Sequence, residues 1–304
     1  MDLWQLHIFC KVVDLKSFSR AGRAVHLSQP TVSSHIKDLE DHFDCRLIDR
    51  LSKEALPTQA GRLLYRYAKR MIALRDEADS AMAEFMGQVK GSLTLGGSTI
   101  PGAFVLPAII GAFTARFPEV NINLTIADTR QVIEAILCGD LEMGVVGAVS
   151  TNKSILQTHL VEDEMCLVVA TDHRWSEKVS VTTKQLFKEP FIIREPGSGT
   201  LKSIQASFSE AGLNINALKV VARIGSTEAI RQGIKNRMGV SILSAIAVRD
   251  DVAAGKLKTL TIDGLNLKRA FYLTQHRQRS ISPLCRAFIA FISHPIPARP
   301  KKPA

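Results

Sequence analysis

A run of small polar side chains with one lysine is the first feature that could do chemistry. Val32, Ile36 and Leu39 fall in one narrow stripe, as an amphipathic helix requires. Hydroxyls at a helix start allow close approach to bases, and the free N–H groups there favour phosphate. The opposite face carries Pro30, Ser33, Ser34 and Lys37, and we expect this face to contact DNA.

The elements that must position this face are two shorter helices. Apolar spacing predicts a helix over residues 3–14 and a second over 18–25, and a tight break at 27–30 separates them from the third. Ser28 is a suitable N-cap, and Pro30 fits a first turn. This order is typical of a helix-turn-helix. A three-helix module that binds protein is the alternative.

Acidic residues bound the part of the third helix that can approach DNA. Asp38, Glu40 and Asp41 follow the polar face, and a phosphate backbone would repel them. We therefore expect only the N-terminal half of the helix to enter a groove. Residues 46–57 then read as a β-hairpin wing, with Arg50 and Lys53 as further DNA contacts; an ordinary surface loop is the alternative.

One long helix is predicted from residue 58 to about residue 86. Its apolar residues step by three and four over three heptads, which is typical of a coiled-coil seam. Packing against the chain's own body is the alternative. A dimer would place two recognition helices about 34 Å apart, which suits a palindromic site. The seam consists of Leu64, Tyr67, Met71, Leu74, Ala78, Ala81 and Phe85.

After Gly91 the pattern changes to alternating strands and helices, which predicts a parallel sheet covered by helices. Ligands bind such sheets at the carboxyl ends of strands, against helix N-termini. Hydroxyls, glycines and one arginine follow four of the predicted strands. Helix capping alone would also explain them, and an ion pair with Glu195 would explain Arg194. The expected effector-binding residues are Ser98, Thr99, Thr129, Arg194, Ser198, Thr200, Ser226 and Thr227.

The N-terminal motifs resemble a known family. The run SFSRAGRAVHLSQPTVSSHIKDLEDHFDCRLIDR, followed by LPTQAGRLLY, resembles the LysR-type transcriptional regulators, and the resemblance extends over essentially the whole chain. It implies an α+β winged helix-turn-helix (residues 1–58), a dimerising linker helix (59–90) and an α/β effector domain (91–304). That domain would consist of two Rossmann-like subdomains, as in type 2 periplasmic binding proteins.

The expected subdomain boundaries follow the predicted strands. Subdomain I takes residues 91–163 and 268–298, and subdomain II takes 164–267, with a small molecule between them. The resemblance further implies a homodimer or homotetramer on double-stranded promoter DNA, with RNA polymerase as a further partner. It also implies that one set of residues faces DNA, with Arg50 and Lys53 on the wing: Gln29, Pro30, Thr31, Ser33, Ser34 and Lys37. The segments GSTIPGAFVLPAIIGAFTARFPEVNINL and REPGSGT look most like regulators of sulfur or related anion metabolism.

The wing departs from the family pattern. A second arginine often precedes a Leu-Thr pair in this family, whereas this chain has Lys53 before Glu54 and Ala55. Lysine supplies charge but not the planar fork of arginine, which puts a minor-groove contact in doubt.

Composition limits the other classes. The net charge is +10, but residues 1–90 hold 14 lysines and arginines against 12 acids, whereas residues 91–304 hold 25 against 17. The weakly charged N-terminal part argues against a nonspecific nucleoid protein, and the basic C-terminal part suits an anionic effector. Five scattered cysteines indicate buried free thiols rather than disulfides.

Motifs of enzymes and of secretion are missing from the sequence. There is no HExxH, C-x-x-C or G-x-S-x-G, so we expect neither an enzyme nor a cofactor beyond the small effector. No apolar stretch of about 18 residues and no secretory signal is visible, so we expect a cytoplasmic protein without a membrane partner. A transport-type binding protein with an accessory helical domain remains the alternative.

Overall fold

The chain folds as two compact units that divide between Gly91 and Ser92. The computed structural model describes residues 1–49, 54–85 and 89–293. The first unit consists of helices with a small hairpin, and the second is built around a curled mixed sheet. The helices of the first unit are α1 (Leu3–Leu15), α2 (Phe18–Ala24), α3 (Gln29–Phe43) and α4 (Gln59–Phe85), and its strands are β1 (Ile48–Asp49) and β2 (Leu56–Pro57).

Local capping fixes where the helices of the first unit begin. The Asp2 carboxylate accepts from the Gln5 N–H at 2.7 Å, and the Gln5 side chain accepts in return from the Asp2 N–H. Ser17 and Ser28 cap α2 and α3 in the same way, since each hydroxyl accepts a backbone N–H of the first turn. The predicted break between the second and third helices is therefore confirmed.

The core of the first unit joins all four helices. Phe9 of α1, Val32 and Ile36 of α3 and Ala68 of α4 are fully buried in one cluster. Gly61 lets α4 approach the hairpin, because a Cβ at this position would lie 2.0 Å from the Leu47 carbonyl oxygen. The hairpin is therefore packed tightly against the start of α4.

Glu40 anchors the hairpin rather than facing a ligand. Its Oε1 accepts from the backbone N–H of Leu47 at 2.8 Å and of Ile48 at 3.2 Å, and its carboxylate is 5% exposed. Arg46, which is mostly exposed, pairs with the same carboxylate at 3.3 Å. The expectation that Glu40 would be exposed to a phosphate backbone is wrong, because the carboxylate is turned inward.

The long helix α4 splits the predicted seam in two. Leu64 is 9% exposed and packs into the unit's own core, with Met71 partly buried beside it. Tyr67 and Leu74 are 54% and 64% exposed. Leu64 and Met71 therefore belong to the chain's own core, contrary to the prediction. Only the outward-facing residues remain available to a partner; the side chains of Ala81 and Phe85 lie outside those described.

The second unit contains ten strands and seven α-helices in the part of it that is described. Its strands are β3 (Gly91–Ser98), β4 (Val120–Ala127), β5 (Met143–Val146), β6 (Ile155–Ala170), β7 (Ser180–Thr182), β8 (Pro190–Arg194), β9 (Lys219–Ile224), β10 (Ser241–Ser244), β11 (Leu257–Asp263) and β12 (Lys268–His276). Its helices are α5 (Leu106–Arg116), α6 (Thr129–Cys138), α7 (Thr183–Leu186), α8 (Gly199–Glu210), α9 (Thr227–Lys235), α10 (Ala245–Ala253) and α11 (Pro283–Ser293). A π-helical turn, Pro101–Val105, precedes α5.

One long strand belongs to both halves of the sheet. The order is β4-β3-β5-β12-β6-β11-β7, with β10 also paired to β6. The strand β12 pairs with β6 from Ile155 to Glu164, and β10 and β11 pair with the rest of β6 up to Ala170. The strand pair β8-β9 forms a separate two-stranded sheet, and a single parallel bridge connects its Phe191 to Val240, the residue before β10.

The sheet is mixed rather than wholly parallel. The pairs β3-β5, β8-β9 and β7-β11 are parallel, as the strand–helix alternation predicts. The pairs of β6 with β12, β10 and β11 are antiparallel. The alternation could not reveal this, because β6 and β12 carry the chain in opposite directions between the two halves.

The cysteines are free but not all buried. Cys10 and Cys285 are buried and Cys166 is partly buried, and burial raises the pKa of the Cys10 and Cys166 thiols to about 12. Cys45 and Cys138 are exposed, so the prediction of buried thiols is wrong for these two. Across the described ranges, no helix has both the length and the apolarity to cross a bilayer.

Replacing Glu40 tests its role as an anchor. Glu40→Ala leaves the buried N–H groups of Leu47 and Ile48 without this acceptor, so we expect the free energy of unfolding to fall by about 2 kcal/mol or more. Urea unfolding followed by circular dichroism measures this. Glu40→Gln keeps one acceptor oxygen and should lose less, and the exposed Asp41→Ala is the control. Equal stability of Glu40→Ala and Asp41→Ala would contradict the assignment.

Candidate functional site

The outward face of α3 presents the residues that the sequence singled out. Gln29, Thr31, Ser34 and Lys37 are exposed and Ser33 is half-buried. Pro30 lies in the first turn of the helix and is also exposed. The structure thus brings all six residues onto one solvent-facing surface at the N-terminal half of the helix.

Hydrogen bonds order part of this face before any ligand arrives. The Gln29 amide donates to the Ser33 hydroxyl at 2.8 Å, and the Ser28 and Thr31 hydroxyls are 2.8 Å apart. Lys37 forms no ion pair with any residue that the structure describes, so its charge is available. The surface therefore combines preset hydroxyls with one cation, which suits contact with base edges and a phosphate. Arg50 and Lys53 lie outside the described residues.

Three strand-to-helix turns of the second unit, the loop after β5 and the strand β12 converge on one small cavity. Ser98 ends β3 and Thr99 follows it, Thr129 starts α6, and Ser198 and Thr200 lie at the start of α8. The Ser98 hydroxyl accepts from the Gly147 N–H at 3.1 Å, which ties the end of β3 to the loop after β5. The cavity is lined by Ser98, Thr99, Ile100, Pro101, Thr129, Gly147, Arg194, Ser198, Gly199, Thr200, Arg269 and Phe271.

Two of the predicted effector residues lie outside the lining. Ser226 is exposed and caps α9, because its hydroxyl accepts from the Ala229 N–H at 3.3 Å. Thr227 is buried and accepts from Arg194 at 2.9 Å. Capping alone therefore accounts for Ser226. Thr227 orients Arg194 by a hydrogen bond but does not line the cavity.

Arg194 lines the cavity but its charge is already balanced. Its guanidinium, 2% exposed, forms a two-pronged ion pair with Glu195 at 2.7 and 2.8 Å. It also donates to Thr99 at 3.1 Å and to the Gly225 carbonyl at 3.4 Å. The ion pair with Glu195 that the sequence left as an alternative is present, and Arg194 ties three of the turns together.

A second arginine, Arg269, was missed by the sequence reasoning. Its Nε donates to Asp163 at 2.6 Å, and both side chains are 5% exposed. Its Nη1 donates to Thr200 at 3.1 Å. Burial lowers the pKa of Arg269, and Asp163 opposes this effect. The available signal was a charged residue two positions before Phe271, on the face of β12 that points inward.

Two polar atoms at the cavity are buried and lack a partner in the described structure. They are the Thr129 hydroxyl and Nη2 of Arg269. Gly199 closes over the first of them, since a Cβ there would lie 2.6 Å from the Thr129 oxygen. The cavity volume is about 10 Å³, which is the space of one water molecule. The arrangement leaves a donor, and a hydroxyl that can donate or accept, for a small polar ligand.

The comparisons with known proteins cover both units. The family model of the bacterial regulatory helix-turn-helix protein, lysR family, matches residues 3–62, and that of the LysR substrate binding domain matches residues 86–294. The chain belongs to the LysR family. The LysR family consists of transcriptional regulators, so the chain is a DNA-binding transcription regulator with an effector-binding domain, and not an enzyme. The alternative of a transport-type binding protein is wrong, because the helix-turn-helix match covers the unit that this alternative treated as an accessory.

Individual LysR-type relatives match over nearly the full length. The HTH-type transcriptional regulator CysL of Bacillus subtilis is 31% identical over 265 residues, with 87% of each chain covered. A crystal structure of full-length CbnR with its target DNA has a TM-score of 0.71 at 20% identity and covers 96% of this chain and 99% of that one. The CcmR regulatory domain of Synechocystis PCC6803 with 2-PG has a TM-score of 0.61 at 24% identity, over 66% and 95%. The two structures confirm the predicted fold class.

Two threonine-to-valine substitutions separate the unpartnered hydroxyl from a partnered one. Thr129→Val removes a buried hydroxyl that has no partner, so we expect the melting temperature to stay equal or rise. Thr200→Val removes the acceptor of Arg269 Nη1, so we expect a loss of about 1–3 kcal/mol. Thermal unfolding of both variants checks this. A stability loss in Thr129→Val as large as that in Thr200→Val would contradict the assignment.

Proposed function

We propose that the outward face of α3 reads base edges in the major groove of promoter DNA, with Gln29, Thr31, Ser33 and Ser34 at the bases. Lys37 and the N-terminal N–H groups of α3 contact phosphates. The exposure of this face supports the proposal, as does the inward turn of Glu40, which removes one repelling charge. Pro30 completes the surface by packing against the groove wall. Arg50 and Lys53 are proposed as wing contacts from the sequence alone.

The protein binds DNA as a homo-oligomer. The exposed apolar residues Leu63, Tyr67 and Leu74 of α4 support this, because water-exposed side chains of this size along a helix are typical of a dimer seam. Full-length LysR-type relatives share the fold of the whole chain. The linker segment 59–90 is the dimerising element in this proposal, between the DNA-binding domain 1–58 and the effector domain 91–304.

We infer that the effector is a small anion rather than a large apolar ligand. The two unpartnered atoms, the Thr129 hydroxyl and Arg269 Nη2, carry this proposal, because a buried polar atom without a partner costs about 1–3 kcal/mol until a ligand satisfies it. The free N–H groups at the N-terminus of α8 add to the attraction for an oxyanion. Thr99, Ser198 and Arg194 shape the cavity around it.

The ligand lies between two subdomains, residues 91–163 with 268–298 and residues 164–267. The chain crosses between them in β6 and again before β12, and the Met165 N–H donates to the Leu267 carbonyl at these crossings. A ligand held by both sides changes their closure and thereby the pairing of protomers on DNA. We infer a cytoplasmic location, which the role of the protein on DNA supports. RNA polymerase as a partner and the sulfur-metabolism subgroup stay predictions from the resemblance.

A substitution in the recognition face tests the DNA proposal. Ser33→Arg places a bulky cation where a small hydroxyl meets bases, so we expect operator affinity to fall about tenfold or more, as the loss of one good base contact does. Mobility shifts on the DNA upstream of the gene, over a range of salt concentrations, measure this. His42→Arg adds the same charge at the far end of α3 and is the control. Operator binding by Ser33→Arg at the wild-type level would refute the assignment.

A screen of small anions tests the effector proposal. A saturating anion should raise the melting temperature of the full-length protein, since at about 100 times its Kd a ligand adds about 2.7 kcal/mol. The same anion should alter the footprint on upstream DNA. Thr129→Val should lose the thermal shift while keeping its fold. Identical footprints with and without a stabilising anion would overturn the regulatory part of the proposal.

A further inference from the structure

A second pocket adjoins the cavity on the same effector domain. It has a volume of about 380 Å³ and is open to solvent. Gly147 and Arg269 line both the cavity and this pocket, so the two spaces adjoin at these residues. Lys202 and Lys268 line only the open pocket, and we refer to it as the lysine pocket.

The lysine pocket has an excess of positive charge. Lys202 on α8 and Lys268 on β12 are exposed, and neither forms an ion pair within 4 Å among the described residues. Glu210 is the one carboxylate in the lining. Glu164, opposite Lys268 in the β6-β12 ladder, lies outside the lining. The two lysines and the single glutamate leave a net positive charge in the lysine pocket, which an anionic ligand group can neutralise.

Arg269 connects this charge to the cavity. Its Nε and Nη1 donate to Asp163 and Thr200, which leaves Nη2 buried and without a partner on a residue that lines both spaces. A ligand group that satisfies Nη2 therefore stands next to the lysine pocket. The remaining lining is mixed, with hydroxyl and amide groups beside small apolar side chains: Ser203, Ser207, Asn266, Tyr272, Ala148, Val149, Ala206 and Ala270.

We propose that the lysine pocket is a second anion subsite of the same cleft, so that the effector is a small organic dianion. One anionic group meets Thr129 and Arg269 Nη2, and the other meets Lys202 and Lys268. This inference rests on the proposed effector function of the cavity. Lysine suits the second group because it binds carboxylate or phosphate as a point charge and needs no fixed geometry at an open site.

Matched pairs of probes test the number of anionic groups. Succinate is compared with its monoamide, succinamate, and phosphonoacetate with methylphosphonate, by calorimetric titration into the full-length protein. We expect at least one dianion to bind about tenfold or more tightly than its single-headed partner. Each exposed lysine adds a modest favourable interaction to the free energy of binding, and two of them together give about this factor. This preference should shrink as sodium chloride is raised, because exposed charges are screened.

Variants of the two lysines show whether the preference comes from this pocket. The double variant Lys202→Gln, Lys268→Gln should bind each dianion no more tightly than its single-headed partner. The double variant Lys219→Gln, Lys258→Gln removes the same charge from exposed positions outside the pocket and should keep the preference. A preference that survives in the first variant, equal affinities for both members of every pair, or no binding of any probe overturns the inference.

The outcome separates this inference from the proposal on which it rests. Binding of succinamate or methylphosphonate that is lost in Thr129→Val, without any dianion preference, retains the cavity as the effector site and rejects the second subsite. Loss of dianion preference in Lys202→Gln, Lys268→Gln with retained single-headed binding supports both.

Discussion

The buried ion pair between Asp163 and Arg269 is the interaction on which the effector domain depends. It lies where β6 leaves the β12 ladder and enters pairing with β10, so both halves of the sheet meet at it. Asp163 accepts from Arg269 at 2.6 Å and from the Ser244 hydroxyl at 2.6 Å. Taking two charges out of water is costly, and a buried pair of this kind repays the cost only when its remaining hydrogen bonds are satisfied.

The incomplete satisfaction of this pair is therefore informative. Asp163 is held from two sides, whereas Arg269 keeps one unpartnered nitrogen. An apolar pair of similar size would stabilise the fold at least as well. Arg269 lines the cavity, so a ligand bound there can supply the hydrogen-bond partner that this nitrogen lacks. The same pair then links the ligand to Ser244, at the start of α10 in the other half of the sheet.

The sequence predicted what depends on neighbours along the chain. The cap at Ser28 and the hydroxyls at the end of β3 and the start of α8 were found because strand, turn and helix signals are local. The periodicity of α4 was also clear, yet it could not tell Leu64, which packs in its own core, from Leu74, which is exposed. Both residues satisfy the same heptad pattern, and only the tertiary structure decides which face each covers.

Arg269 and Glu40 were misjudged because their partners are distant or turned inward. Arg269 is 106 residues from Asp163, and the run from Lys268 to Phe271 shows only that Arg269 shares a strand face with Phe271, not which carboxylate it meets. From the sequence, Glu40 resembles a surface acid like its two acidic neighbours. Its carboxylate instead accepts from backbone N–H groups seven and eight residues later. A side chain whose role is to satisfy a buried group carries no composition signal, since the need arises from the fold.

Charge balance explains how a ligand cavity can coexist with a stable ligand-free protein. Arg194 is paired with Glu195 and Arg269 with Asp163, so each of the two guanidinium groups that line the cavity is balanced by an acid before any ligand binds. Unbalanced guanidinium groups would repel each other and leave the empty domain dependent on its effector for folding. With the charges balanced, the ligand needs only to satisfy the Thr129 hydroxyl and Arg269 Nη2. The free energy of binding is then available for closing the two subdomains, which is what a sensor requires.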